Sequence, residues 1–337
     1  MSKQIQVIRN KKTSLDRAFG KFLIDVKTAG HMAEGDDSQG GALVPDRFEK
    51  RIMAYGVEHS IVRPRAQIFH TDSDNLHVPR LVDSDRSADM FGGITFKWLP
   101  EKGDKEAVKT KPAVGQLGFT PHKLVGTVWT SNELENDIEG FGRFMNFSFG
   151  RALSFIQDYH FFHGTGGGQP LGILNSTALG TVARNAVGYI DLVDFGELAK
   201  LLCADSWLDP GIVWMINSDA LGEYFGLTAP AANGAAIINL NDPNILGKPL
   251  IISSLAASLG DPGDLGLFNL SYYAIADRSL KIAASPDQDI DGRGYLTDET
   301  LWKIVWRGDG KPIVDAAIIP KIGGNAVSPF VVLTSAS

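Results

Sequence analysis

The chain has 337 residues, 44% of them hydrophobic and 21% charged, a balance that excludes a disordered polymer and provides core for two or more units. Its one cysteine, Cys203, excludes an intramolecular disulfide and any multi-cysteine zinc site; it fits a reducing compartment such as a bacterial cytoplasm, where it serves as a small buried hydrophobe. The net charge of −7 is uneven: residues 1–27 carry seven Lys/Arg against two acids, a net +5, and residues 185–300 carry five against sixteen, a net −11.

The opening MSKQIQVIRNKKTS lacks the apolar run of a secretory signal, and no stretch approaches 18 uninterrupted apolar residues, so the expectation is a protein that stays where it is made. Residues 1–40 look like an extended arm. Leu15, Ala18, Phe19, Phe22, Leu23 and Val26 fall at helical spacing within it, and Gly30 to Gly41 forms a polar linker. GGALVP then leads into a short helix carrying Phe48, Ile52 and Tyr55. From Arg65 to Thr130 short alternating strands appear, QIFH, LHVPRL and ITFKWLP, then a charged apex EKGDKEAVK, then FTPHKLVGTVWTS. This is a two-way ribbon with few core residues in its middle third, marginal alone and expected to lie on something else, such as another copy of the chain.

Thr130-Ser-Asn-Glu133 fits a capping box, so a helix is expected there. Past Gly140, the residues Phe141, Phe144, Met145, Ser148, Ala152, Phe155, Ile156 and Tyr159 recur at three and four, which predicts one long helix ending near His163. HGTGGGQPLGIL follows. Phosphate loops need their glycines after a strand and before a helix, and here the order is reversed, so this stretch is read as a helix stop and hinge. Beyond Asp191 come a helix (LVDFGELAKLLCA), a buried strand (IVWMINS), a helix (DALGEYFGL), a loop, a strand (LIIS) and GLFNLSYYAIADRSLKIAAS, a mixed order that suggests an α/β unit. ETLWKIVWRGDGKPIVDAAIIPKI is expected to be a strand, a turn at Gly308-Asp309-Gly310 and a second strand running on to Ile322.

Two local motifs point to metals. Asp287, Asp289, Asp291 and Asp298 match the D-x-D-x-D-G spacing of a calcium loop with an acid at position twelve. The acid is one methylene short, position eight is Gly294, and strand-like LKIAAS with Pro286 stands where an incoming helix belongs, so an acidic hairpin turn is the favoured reading. His160 and His163 lie three apart on one helix face near Asp158, but no third ligand shows a matching spacing, and histidines in a last helical turn also complement its dipole. There is no Gly-x-Ser-x-Gly elbow, no His-Glu-x-x-His and no Cys with an obvious His partner. The aromatics from Phe141 to Tyr159 keep helical spacing without interleaved Lys/Arg, which favours packing over base stacking.

Taken in order, GGALVP after a polar arm, VGTVWTSNELENDI, the long helix running into HGTGGGQPLGIL, GIVWMINSDAL, LGKPLIIS, LSYYAIADRSLKIAAS and WKIVWRGDGKPI resemble the major capsid proteins of tailed bacteriophages, the Hong Kong 97 fold. The resemblance spans about Phe19 to Ile322 and implies an α+β chain with four parts. These are an amino-terminal arm, 1–41; an extended β-ribbon loop, 65–128; a peripheral domain, 42–64 with 129–187 and 273–311, whose spine helix covers about 141–163; and an α/β axial domain, 188–272 with 312–337. On this mapping Gly164, Gly166, Gly167, Gly168 and Pro170 stop the spine helix and form a hinge, and Lys97, Lys102, Lys105 and Lys109 make intersubunit contacts from the extended loop. The cross-link that some members form from a ribbon lysine to an asparagine is in doubt here, because Asp298 aligns with the acceptor.

The implied function is a shell subunit, not an enzyme, with no cofactor and no metal. It self-assembles through hexamers and pentamers into the icosahedral head of a tailed phage enclosing double-stranded DNA. Implied partners are further copies, portal and scaffolding or decoration proteins, and DNA contacted without sequence preference by the basic arm; no membrane is implied. Met1 suggests an initiator, so a scaffold is expected to be separate or absent. The implied location is the virion, after assembly in the host cytoplasm. The alternatives are an encapsulin-type nanocompartment of the same fold and a calcium-binding or hydrolytic enzyme built on the Asp287 loop.

Overall fold

A computed structural model describes residues 59–87, 92–102, 113–137, 140–226, 244–286 and 298–335. The strands are β1 (Gln67–His70), β2 (Leu76–Leu81), β3 (Val114–Phe119), β4 (His122–Ser131), β5 (Gly180–Ala183), β6 (Ile212–Ile216), β7 (Asn244–Ile245), β8 (Lys248–Ile252), β9 (Leu265–Asn269), β10 (Tyr273–Pro286), β11 (Glu299–Pro312) and β12 (Phe330–Thr334). The helices are α1 (Asn132–Asp137), α2 (Phe141–His163), α3 (Leu192–Leu201) and α4 (Leu221–Gly226). The chain divides into two compact units: Met1–Val57 with Leu124–Ala152 and Leu280–Trp306, and Glu58–Lys123 with Leu153–Ser279 and Arg307–Ser337. The class is α+β, as the resemblance implies.

The larger unit is organised by a six-stranded mixed sheet in the order β5-β12-β9-β6-β8-β7. Its middle strands are apolar along their length because both faces are covered: every residue of IVWMI in β6 and of LGLFN in β9 is buried. Leu198, Phe195 and Leu202 of the α3 region join Trp214, Ile216, Leu265, Leu267, Val331 and Leu333 in one core. α3 starts where it does because Asp191 caps its first turn while Asp194 reaches back to the Asp191 N–H at 2.8 Å, a reciprocal box. The indole N–H of Trp214 donates to the Ile245 carbonyl at 3.0 Å, so the largest core side chain leaves no orphan donor.

In the same unit β2 and β3 form an antiparallel ribbon, Leu76 opposite Phe119 through Leu81 opposite Val114. Its base rests on its own chain: Leu117 and Phe119 pack on Ala274 and Ala276 of β10, with Phe69, Leu76, Val78 and Ile313 around them. Arg80 fastens that base, donating to the Ile313 carbonyl at 2.5 Å and pairing with Asp315. β1 lies parallel to β10, Gln67 beside Ala274. The carboxyl half of α2 is pinned by Phe162 against Phe268 and Phe161 against Tyr273, ring centroids 5.4 Å apart in each pair.

The smaller unit contains the start of α2, where Phe141, Met145 and Phe149 are buried, and the Phe141 ring meets Trp302 of β11 edge-on at 6.3 Å. α1 begins one residue later than the capping box predicts. β4 extends through Ser131, and it is the Ser131 hydroxyl that accepts from the Leu134 N–H, at 3.4 Å.

Four expectations are corrected. Gly308-Asp309-Gly310 is no turn: β11 runs unbroken through it and all three residues are buried. A Cβ at Gly310 would lie 2.6 Å from the Tyr273 hydroxyl and 2.9 Å from the Phe161 ring, so that glycine answers close packing. The segment Ile313 to Ile322 makes only isolated bridges, and the closing strand is β12, between β5 and β9. Thr95 to Pro100 is not in a strand, and the return arm of the ribbon begins at Val114, where the glycines of VGQLGF had hidden a strand. The buried stripe of α2 is also rotated. Ala152 and Tyr159 are exposed, whereas Gln157, Asp158, Phe161 and Phe162 are buried. Asp158 points inward because its carboxylate accepts the Ile61 and Val62 N–H groups at 2.6 and 3.3 Å, ordering the turn that enters β1.

Candidate assembly surfaces

The glycine stretch after α2 is a closed loop. The Gly164 N–H donates to the His160 carbonyl at 2.8 Å, continuing the helical ladder by one step. The Asn175 side chain then donates to the carbonyls of His163 and Gly164 at 2.8 and 3.1 Å, capping the helix end from eleven residues on. Thr165 and Leu171 form an antiparallel bridge, and the Gly166 and Gly172 N–H groups donate to Pro170 and Gly164 carbonyls. Those donors are consumed inside the loop, which leaves them unavailable to a phosphate.

The glycines have different reasons. Gly166 and Gly168 have φ of 79° and 75°. A Cβ at Gly164 would sit 2.2 Å from the Pro170 carbonyl oxygen, and one at Gly172 2.5 Å from that of Phe162, while Gly167 meets nothing closer than 3.9 Å. Gly172 and Asn175 belong to the device although sequence inspection did not single them out. Their roles depend on backbone approaching from another turn, which no local spacing reveals.

The two histidines of α2 have separate surroundings. His163 Nε2 donates to the Leu255 carbonyl at 2.7 Å, with its ring stacked on Tyr159 at 5.1 Å. His160 has a buried Nδ1 with no hydrogen-bond partner among the described residues, and burial lowers its pKa below the ordinary imidazole value. Asp158 is raised by burial, opposed by the backbone N–H groups it accepts. Cys203 is buried beside the Ser206 hydroxyl at 2.9 Å, and burial raises its thiol, which suits a packing role. Among the described residues no group of three or more His, Cys, Asp or Glu is placed to hold a metal.

Asp287, Asp289 and Asp291 lie outside the described residues, as do Lys105, Lys109 and the arm 1–41. Asp298 has a left-handed backbone, φ 55°; its carboxylate accepts from the Asn132 amide at 2.6 Å and its carbonyl from the Asn132 N–H at 3.0 Å. Those bonds tie the start of α1 to the start of β11.

The connection between β2 and β3 carries a run of exposed apolar side chains. Phe96 is 87% exposed, Trp98 fully exposed and Leu99 40% exposed, with Lys97 and Lys102 exposed beside them. A tryptophan wholly in water forgoes about 1.5–3 kcal/mol that burial provides to a large apolar side chain, and clustered exposure of this kind marks an interaction surface. The sequence pattern predicts ITFKWLP as a strand; residues 95–100 are in no strand, and every side chain from Phe96 to Pro100 is exposed.

The described residues thus hold an exposed apolar strip between β2 and β3 and a buried aromatic end of α2. The model of the phage capsid family matches residues 40–321, and the chain belongs to that family. Membership makes it a structural virion protein and not an enzyme. No curated protein matches it. Among solved structures it is similar to the capsid of an empty GTA particle, with 17% identity, TM-score 0.65, and 90% of this chain and 99% of that one covered. It is also similar to chains of Mycobacterium phage Adephagia (14% identity, TM-score 0.61, 90% and 98% covered) and Microbacterium phage Oxtober96 (16%, 0.59, 89% and 99%). No helix among the described residues is long and apolar enough to cross a membrane.

Proposed function

We propose that this is a major capsid protein that self-assembles through hexamers and pentamers into the icosahedral head of a tailed phage and encloses double-stranded DNA. The observation that carries the reading is the exposed strip Phe96-Lys97-Trp98-Leu99, which is uncovered in a single chain and matches a surface meant for a neighbour. In this reading the ribbon, 65–128, is the extended loop lying across the next subunit, with Lys97, Lys102, Lys105 and Lys109 contributing contacts there. α2 is the spine helix of a peripheral domain (42–64, 129–187 and 273–311), and Gly164 to Pro170 is its stop and hinge. Five strands of the six-stranded sheet, β6 to β9 and β12, belong to the axial domain, 188–272 with 312–337, and the edge strand β5 comes from the peripheral segment 129–187.

The arm 1–41, with its net +5 over residues 1–27, lies on the inner side, where DNA phosphates attract it without reading sequence. Portal and scaffolding or decoration proteins are its other partners, and assembly takes place in the host cytoplasm. Single contacts of this kind are weak, and closure of many at once supplies the affinity. The test is size-exclusion chromatography of the purified chain followed by negative-stain electron microscopy and nucleic-acid quantification. Closed shells or rings in the void fraction are expected; a monomer at every concentration, with and without co-expressed scaffold, would refute the reading.

A further inference from the structure

Among the described residues only Leu246 and Asp298 have positive φ without being glycine, and Leu246 is the stranger of the two. It begins the two-residue turn between β7 and β8, where Ile245 pairs with Lys248, and Leu246 and Gly247 have φ of 51° and 74°. Both central residues left-handed is the type I′ pattern, which strongly prefers Asn-Gly. Leucine adds a Cβ penalty that asparagine tolerates, and Leu246 is 61% exposed, so packing within its own unit covers less than half of it. A strained, largely exposed apolar residue at a hairpin tip is a reason to look for a contact outside the chain.

The sheet order shows where that something lies. β7 and β5 are the two outermost strands of the same six-stranded sheet. β7 covers only Lys248 and Pro249 of β8, and Ile252 farther along β8 is 48% exposed. At the opposite edge, between β5 and the first turn of α3, Val187, Tyr189, Leu192 and Val193 are 80%, 59%, 43% and 52% exposed. Two apolar patches on opposite edges of one sheet cannot meet within a chain. They meet when copies join head to tail, the heterologous contact that closes into rings.

We propose that the β7–β8 hairpin, with Leu246 as anchor, docks onto the Val187-Tyr189-Leu192-Val193 patch of the next copy. This rests on the capsid reading and assigns residues to the contact between its axial sheets. The hairpin edge offers two exposed apolar side chains and the patch four, few beside the roughly 20–30 residues a side that bury ~800 Å² per partner in a stable pair, so one contact alone is weak and the ring holds by closing.

The test uses full-length chains in two variants, Leu246→Asn and the double Tyr189→Ser/Val193→Asp, followed by sedimentation velocity and electron microscopy across a concentration series. Leu246→Asn is expected to need at least about tenfold more protein to assemble, ~1.4 kcal/mol per contact. Its melting temperature is expected to equal or exceed that of the wild type, because Asn-Gly relieves the turn; a folding defect would move both readouts down together. The double variant is expected to lose assembly likewise. A mixture of the two is expected to form pairs through the one intact edge each brings, without closed rings. Assembly of Leu246→Asn within twofold of the wild type would overturn the proposal and leave the capsid reading standing. Assembly of the double variant alone would overturn it in favour of hairpin meeting hairpin. A wild-type chain that never assembles would overturn both readings.

Discussion

Replacing Asp264 by Asn probes the interior of the six-stranded sheet unit most directly. Its carboxylate is fully buried and accepts from Arg184 Nη2 at 2.5 Å, from the Gly260 N–H at 2.9 Å and from the Leu265 N–H at 2.8 Å. The Arg184 side chain is 1% exposed, and its other guanidinium nitrogen Nη1 donates to the Tyr189 carbonyl at 2.9 Å. The amide keeps the volume but removes the countercharge, leaving a guanidinium buried and unpaired; breaking such a pair costs about 3–5 kcal/mol. Urea titration followed by tryptophan fluorescence measures this, since Trp214 lies in the same unit's core. An Arg184→Met/Asp264→Leu double variant should recover part of the loss by removing both charges. Recovery stays incomplete because the Gly260 and Leu265 N–H groups lose their acceptor, about 1–3 kcal/mol each where buried. A loss below about 1 kcal/mol for Asp264→Asn would refute the assignment of this pair as a structural keystone of the sheet.

Gly164→Ala should lower the unfolding free energy by about 1–3 kcal/mol in a denaturant titration because its Cβ collides with backbone oxygens, whereas Gly167→Ala should stay within about 0.5 kcal/mol; equal effects would remove the close-approach explanation. Trp98→Ala should leave the melting temperature of the unassembled chain unchanged while sharply reducing shell yield by electron microscopy, the signature of an anchor that is fully exposed until a neighbour covers it. His160 has a pKa below its ordinary 6.5 because burial disfavours the charged ring. As pH falls through about 6.5 the unfolded chain takes up a proton that the folded chain refuses, so stability drops with acidification and levels off below the folded pKa. His160→Leu should flatten that part of a stability profile between pH 5 and 7, and an unchanged slope would show that other groups set it.

α2 was legible because the signals agree: aromatic spacing along FGRFMNFSFGRALSF, and glycines at 140 and 164 that bracket it. β6 was legible because IVWMI is too short for a helix and uniformly apolar. Where glycine serves a distant neighbour, local pattern misleads. Gly310 is small because Tyr273 and Phe161 press on it, and those residues are 37 and 149 positions away. β12 escaped notice because PFVVLT is short and its partners, β5 and β9, are remote in sequence. The inward turn of Gln157 and Asp158 was hidden too, since periodicity sorts polar residues outward and cannot anticipate that Ile61 and Val62 offer their N–H groups. Of the candidate surfaces, the glycine stop after α2 and the β2–β3 ribbon were located from sequence, whereas Trp98 and Leu246 were not singled out, because exposure and a left-handed turn are properties of the folded chain.

The position of β12 also bears on how a cell makes this protein. Val331 settles beside Gly180 on one side and Leu267 on the other, so β5 and β9 lack their shared neighbour until residues near 334 have been translated. At 5–20 residues per second, roughly 8–30 s separate the synthesis of β5 from that of its partner. During that interval the sheet is missing an interior strand, and both outer edges belong to an unfinished object. A chain released before that point lacks the strand that joins β5 to the rest of the sheet, so its sheet stays divided however well the earlier strands have paired.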